Sequence, residues 1–427
     1  MTDGMTVEQR SFHGLGIAPG LLALMDTLKF IVPTPIQCKA IPIAIEGKDL
    51  VGVAQTGTGK TLAFGIPMVQ RLAQHAGGRG LVLVPTRELA LQVCDVLKTL
   101  AATFKMRTAV LIGGESMFGQ LRSLRANPAL IVATPGRLID HMQRSTVRLH
   151  DVSILVLDEA DRMLDMGFQP QLERILKTVP RARQTMLFSA TIPPAIMTIA
   201  AKHMHLPVRV EMAPSGTAAE KVTQELFMVS RDLKPKLLVE LLRQHRGSVL
   251  LFVRTRRSAA KVVRWVRQHG HTAAEIHADR SQNQRREALR GFKTGEYRVL
   301  VATDIASRGI DVQAIDLVIN YDLPEDADNY VHRIGRTGRA GLAGHAITMA
   351  SPDQHKDVQS IERILRATIP RSKMPALPAG PTGGESIMGR NSESPHRQGR
   401  PFHGKSGSGG GSSPHKGRPW KFHARRG

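Results

Sequence analysis

Cysteine is scarce in this 427-residue chain: Cys38 and Cys94 are its two examples. Two thiols do not make a disulfide framework or a cysteine-rich metal site, and both fall in apolar-patterned segments, where buried thiols are common. The 17 histidines are scattered without ligand spacing. No run approaches the roughly 18 consecutive apolar residues that a membrane span requires. The opening MTDGMTVEQR carries acids and no apolar stretch, which does not suit a secretory signal. Together these absences point to a reducing, cytoplasmic setting without membrane contact. Aromatic residues are only 4% of the chain, so base-stacking platforms are few. If the partner is nucleic acid, that favours contact through phosphate and 2′-OH groups over base reading. Acids are also in short supply, with 36 Asp and Glu against 59 Lys and Arg. The resulting net charge of +23 favours a polyanionic partner, with solubility alone as the blander account.

What the chain does contain is enough apolar residue, 41%, for two to three packed domains of roughly 150 residues each. Short runs of Val, Ile and Leu end abruptly in polar clusters. LVLVPTRE (81–88), LIVATPGR (130–137), ILVLDEAD (154–161) and TMLFSAT (185–191) are followed, after residue 220, by VLLFVRTR (249–256), RVLVATD (298–304) and DLVINYD (316–322). Continuous apolar runs of this length fit strands buried on both faces. Helix-patterned stretches such as 87–104 and 257–270 lie between them, and the alternation predicts doubly wound parallel-sheet α/β domains. Ligands of such sheets bind beyond the carboxyl ends of the strands, where these polar clusters sit.

MAPSGTAAEK (212–221) is small, polar and loosely patterned and reads as a linker. The predicted organisation is a first domain over 1–212, a linker over 213–221, a second domain over 222–370 and a tail over 371–427. The tail is rich in Gly, Pro, Ser, His and Arg and holds 11 Lys or Arg against Glu385 and Glu393. Such composition predicts disorder.

AQTGTGKT (54–61) follows the apolar DLVGV and precedes a helix-patterned stretch. Its glycines let backbone N–H groups close around phosphate oxygens at a helix N-terminus, with Lys60 reaching the β and γ phosphates and Thr61 binding Mg²⁺. The stretch ILVLDEAD ends a strand in Asp158 and Glu159, where one acid can hold Mg²⁺ through its water shell and the next can orient or deprotonate water. An acidic helix start is the plainer account of that pair. In YVHRIGRTGRAG (330–341), Arg333, Arg336 and Arg339 recur every three residues, which on a helix would place them on one face. Guanidinium groups stabilise charge developing on a transferred phosphoryl group; an RNA-contacting basic face is the alternative.

In combination these residues resemble the DEAD-box RNA helicases, from about Phe12 to Pro370. KFIVPTPIQ (29–37) looks like the family's adenine-reading segment, and Phe12 matches its isolated upstream aromatic. Next in order come AQTGTGKT, PTREL (85–89), Gly113-Gly114, TPGR (134–137), DEAD (158–161) and SAT (189–191). FVRT (252–255), Gln282 with Arg285, ATDIASRGID (302–311) and HRIGRTGR (332–339) complete the series. The wording DEADRMLDMGF and VATDIASRGID is most similar to the bacterial RhlE-like subgroup.

The resemblance implies two tandem RecA-like domains and ATP hydrolysis coupled to RNA remodelling. It implies that Gln37 and Phe30 hold the adenine, and that Thr56, Gly57, Thr58, Gly59, Lys60 and Thr61 hold the phosphates. Asp311 would touch the ribose, Asp158 with Thr61 would hold Mg²⁺, and Glu159 would activate water. Arg336 and Arg339 would be arginine fingers. His332, Asp161, Ser189 and Thr191 would couple the site to the domain interface. Arg87, Gly114, Thr134, Gly136, Arg137, Arg285 and Thr303 would lie along the RNA backbone.

On this reading, ATP and RNA both favour closure of the two domains, and weak sequence specificity is expected of the core. The tail would add affinity through Phe402, Trp420 and Phe422 among basic residues, or recruit ribosomal-precursor or RNA-decay partners. The chain is expected to act as a monomer. A DNA-translocating motor and a basic RNA chaperone with a vestigial ATP site are the competing readings.

Overall fold

The computed structural model describes residues 11–54, 57–75, 77–212, 222–304, 315–325, 327–338 and 344–377. The expected linker 213–221 lies outside them, as do Thr56, Asp311, Arg339 and the tail beyond residue 377.

Two parallel sheets organise the described chain, as the apolar runs predict. The first contains β1 (Leu50–Val53), β2 (Arg79–Leu83), β3 (Thr108–Leu111), β4 (Leu130–Ala133), β5 (Val152–Leu157), β6 (Gln184–Ser189) and β7 (Val208–Glu211), in the spatial order β3-β4-β2-β5-β6-β1-β7. The second contains β8 (Val222–Met228), β9 (Val249–Phe252), β10 (Ala273–Ile276), β11 (Val299–Ala302), β12 (Leu317–Asn320) and β13 (Gly344–Ala350), in the order β10-β11-β9-β12-β13-β8. All recorded pairings are parallel. Central strands such as β4 and β9 are buried at every position, and each sheet carries a separate apolar cluster on either face. That two-sided burial is why their sequences run continuously apolar.

Strand order sorts the polar clusters. Neighbouring β5, β6 and β1 bring DEAD, SAT and the phosphate loop side by side. Neighbouring β3, β4 and β2 do the same for Gly113-Gly114, TPGR and PTREL. Helices begin where these clusters end, and some helix starts in this domain are capped locally. Thr86 Oγ1 accepts from Leu89 N (3.3 Å) at the start of the helix Arg87–Ala102. The Thr34 N–H donates to Gln37 Oε1 (2.8 Å) at the start of the helix Pro35–Ile45.

Two expectations need correction. The tail does not begin at Arg371: Leu226 N donates to Pro370 O (2.8 Å), Ser372 N donates to Leu226 O (2.9 Å), and Leu377 packs on an apolar cluster of the second sheet. The segment through Leu377 therefore lies against β8, an edge strand with unpaired backbone groups to satisfy. Arg333 and Arg336 do not share a helix face either, because that helix spans Asp328–Ile334 and Gly335 caps it; Arg339 lies outside the described residues.

Candidate active site

The helix Lys60–Gln74 starts from Gly59, whose φ of 89° is left-handed, and Gly57 has φ 88°. These angles suit glycine and turn the loop tightly off the end of β1. A Cβ on Gly59 would collide with the Gln37 side chain. Gln37 is buried, and its Nε2 donates to Gly59 O (3.0 Å), so the expected adenine-reading amide is tied directly to the phosphate loop. Phe30, its expected partner, is 45% exposed and stands with exposed Ile31 and Val32. Phe12, by contrast, belongs to the core. Lys60 is buried, with Nζ donating to Ala54 O (3.0 Å), and Thr58 and Thr61 are half-buried beside it.

Asp158 and Glu159 are each 2% exposed at the end of β5. Burial pushes the Asp158 carboxyl up to about 6, against the pull of the Lys60 charge, and Oδ1 accepts from Glu159 N (2.9 Å). Glu159 takes the left-handed conformation, φ 53°, as it opens the short helix Ala160–Asp165. Arg162, one turn on, donates from Nη1 to Glu159 Oε2 (2.9 Å), with both side chains buried. Asp161 Oδ2 accepts three hydrogen bonds: from Ala190 N (3.0 Å), Thr191 N (2.9 Å) and Thr191 Oγ1 (3.0 Å). Asp161 N donates to Ser189 Oγ (3.1 Å), and Ser189 O accepts from Ala54 N (3.0 Å). DEAD, SAT and the phosphate loop thus form one hydrogen-bonded unit.

Across a crevice, the second sheet presents His332, Arg333 and Arg336, which line it together with Arg162, Phe252, Asp304 and Asn329. His332 Nδ1 stands 3.4 Å from Arg162 Nη2. Burial first, and the Arg162 charge second, bring the His332 pKa down to about 4. The ring is therefore neutral and can accept at Nδ1. Arg336 is 3% exposed. Arg333 is equally buried but committed elsewhere: Nε and Nη2 grip the Asp304 carboxylate (2.6 and 2.7 Å), Nη1 donates to Asp322 O (2.6 Å), and the Phe252 ring lies 4.9 Å away. It is a structural residue.

The expected RNA-contacting residues gather beside this site. Arg87 lies on Gly113 and Gly114, and Gly114 has φ 77° and no room for a Cβ beneath that guanidinium. Burial, then the nearby Arg285 charge, lower the Arg87 pKa. Arg137 Nη1 donates to Glu115 O (3.1 Å). Thr134 precedes the helix Pro135–Gln143, and a Cβ on Gly136 would meet nothing, so that helix start faces open space. From the second sheet, Arg285 Nε approaches Glu88 Oε1 at 2.9 Å without hydrogen-bond alignment, and Arg286 pairs with Glu115. Thr303 directly follows β11, and its N–H donates to Ile276 O (3.3 Å).

Arg162, Glu88, Glu115 and Arg286 are site residues that motif reading passes over. Arg162 had a visible signal, a cation three residues after Glu159 at the start of a helix. The cross-sheet pairs had none.

Residues 34–199 match the DEAD/DEAH box helicase family, and 233–341 match the helicase conserved C-terminal domain. The chain is 41% identical over 370 residues to the ATP-dependent rRNA helicase RRP3 of Debaryomyces hansenii, covering 86% of this chain and 78% of that protein. It is 41% identical over 379 residues to the DEAD-box ATP-dependent RNA helicase CshA of Geobacillus kaustophilus, covering 88% and 81%. Among solved structures it is similar to S. cerevisiae Dbp5 bound to RNA and ADP BeF3, with TM-score 0.77, 31% identity, and 85% and 95% of the two chains covered. It is also similar to Mss116p bound to ssRNA and AMP-PNP, with TM-score 0.78, 26% identity, and 85% and 78% covered.

Proposed function

The chain belongs to the DEAD-box ATP-dependent RNA helicases, and from that membership we propose how its residues divide the work. The protein hydrolyses ATP and unwinds or remodels RNA. The observation that carries the assignment of roles is the hydrogen-bonded unit of phosphate loop, DEAD and SAT, with Arg162 reaching from it to His332.

Lys60 and the backbone of Gly57 to Thr61, with Thr56, cradle the phosphates. Gln37 and Phe30 hold the adenine, and Asp311 the ribose. Mg²⁺ would be held by Asp158, a buried carboxylate just beyond β5, and Thr61, a half-buried hydroxyl in the first turn of the helix Lys60–Gln74. Such an ion neutralises charge on the β and γ oxygens when bound. Glu159 accepts the proton of the attacking water, and Arg336 with Arg339 stabilises the charge that develops. Asp161, Ser189, Thr191 and His332 transmit nucleotide state to the crevice. Arg87, Gly114, Thr134, Gly136, Arg137, Arg285 and Thr303 hold the RNA backbone.

Because ATP and RNA contact both sheets, each raises affinity for the other by the same factor. RNA bent to fit the closed crevice cannot stay paired, so one strand leaves, and hydrolysis resets the enzyme. We take 1–212 and 222–370 as the two catalytic domains, extended by the segment through Leu377. The two phrases quoted above support the RhlE-like subgroup. Ribosome assembly is favoured over RNA decay because several relatives are named rRNA helicases. We propose a cytoplasmic monomer whose basic tail adds RNA or protein contacts; among the described residues no helix is long and apolar enough to cross a membrane.

The test is ATP hydrolysis with and without single-stranded RNA, with DNA for comparison. Stimulation by RNA alone, lost in Glu159→Gln, is expected. Equal rates with every polymer, or activity surviving in the variant, would overturn the assignment.

A further inference from the structure

We propose that the outer face of the helix Met117–Arg125 is an additional RNA-binding surface. It takes the single-stranded flank of the RNA where that strand leaves the core, with Phe118 stacking on a base and Arg122 and Arg125 meeting phosphates. The proposal rests on the reading that Arg87, Gly114 and Arg137 line the RNA backbone.

Phe118 is 72% exposed. Among the described phenylalanines only Phe30 is also exposed, and Phe30 has the adenine as its expected partner. Residues 118, 122 and 125 are spaced by four and three, which places them on one helix face. All three are exposed, as are Gly119 and Ser123 between them. Small neighbours leave the ring face open to a flat partner. The helix contains no acid, and neither arginine has an ion pair among the described residues. One large apolar side chain followed along the face by two cations is too little apolar surface for a protein interface, but it is the composition of a stacking platform leading onto a phosphate track.

The inner face shows that this helix is held firmly. Gln120 is buried and donates from Nε2 to Ile112 O (2.9 Å), just before Gly113. Its Oε1 lies 3.2 Å from His141 Nε2, His141 Nδ1 lies 2.8 Å from Thr146 Oγ1, and the Thr146 hydroxyl donates to His141 O (3.0 Å). His141 is fully buried, and burial lowers its pKa. This chain of bonds fixes the helix to the loop of Gly113-Gly114 and to the helix carrying Arg137. The helix is thereby held next to Gly113-Gly114 and the helix of Arg137, the expected core RNA contacts. RNA crossing Gly114 reaches Phe118 within about one helical turn.

The test is binding by full-length protein of labelled oligouridine at two lengths. One is the shortest that saturates ATP hydrolysis, and the other is extended at both ends. Phe118→Ala is expected to weaken binding of the longer RNA about tenfold, the loss of one stacked base, and to leave the shorter one unchanged. Replacing Arg122 and Arg125 by Gln should reduce the slope of log affinity against log salt by about 1.4 on the longer RNA. Phe118→Trp should bind like the parent and show emission quenched by the longer RNA alone, which controls for misfolding. Leu206→Ala, an exposed apolar residue at the opposite end of the strands, should change nothing. If the parent hydrolyses ATP with RNA but none of these variants alters length or salt dependence, this surface is not an RNA site. If the parent binds neither RNA, the helicase reading beneath it falls as well.

Discussion

Arg162 Nη2 stands 3.4 Å from His332 Nδ1, and the two residues lie on helices that follow strands of different sheets. The same guanidinium holds Glu159 Oε2 at 2.9 Å. One arginine therefore touches both the acid assigned to water activation and the opposite wall of the crevice, so a shift of that wall is felt at Glu159.

Arg162→Gln should leave Glu159 buried without its cation, at a cost of about 3–5 kcal/mol, read as a lower Tm. Arg162→Lys should recover much of that stability, because the charge returns. It should not recover RNA stimulation of ATP hydrolysis, because one ammonium cannot span both partners. Full stimulation in the lysine variant would show that the bridge has no part in coupling.

Gly59→Ala would place a side chain at φ 89° and push it into Gln37. The conformation alone costs about 1–2 kcal/mol. We expect ATP affinity to fall about tenfold or more in a nucleotide titration, with the sheets intact by circular dichroism.

Arg333 and Arg336 should separate cleanly despite their common motif. Arg333→Lys loses the two-pronged grip on Asp304 and should cost about 3 kcal/mol of stability. Arg336→Lys should instead lower RNA-stimulated hydrolysis by about 10³-fold, as expected when an arginine finger is removed. Thermal melts and phosphate-release rates on both variants decide the matter.

The pH response combines two opposing groups. His332, with its pKa lowered to about 4, stays neutral in the native protein while the unfolded chain takes up a proton below about 6.5. Its contribution to stability is therefore lost as pH falls from about 6.5 to 4. Asp158 is raised to about 6, so the native protein gains a proton there before the unfolded chain does, and this stabilises it as pH falls through 6. Melting of Asp158→Asn should thus show a steeper acid loss than the parent. His332→Gln should show a shallower one. Parallel curves for all three would refute this balance.

Much of the fold was legible because central strands buried on both faces must be continuously apolar, as in LIVA of β4 and VLLF of β9. Edge strands gave weaker signals. β3 alternates buried and half-buried positions, and β7 has a single buried residue, since one flank of each lies open. Arg371 to Leu377 read as tail by composition, yet edge strand β8 supplied unpaired backbone groups that composition cannot register.

The sequence by itself determined the chemistry on offer: a phosphate loop whose glycines tolerate left-handed angles, acids closing an apolar run, and a basic surplus suited to RNA. These are local properties of spacing and side-chain type. Only the tertiary structure decided how they meet. Strand order groups DEAD, SAT and the phosphate loop at one place and PTREL, TPGR and Gly113-Gly114 at another, although the second group lies between the phosphate loop and DEAD along the chain. Helix termination at Ile334 sends Arg333 inward to Asp304 and leaves Arg336 at the crevice. Pairings of this kind join residues far apart in sequence, and no local period records them.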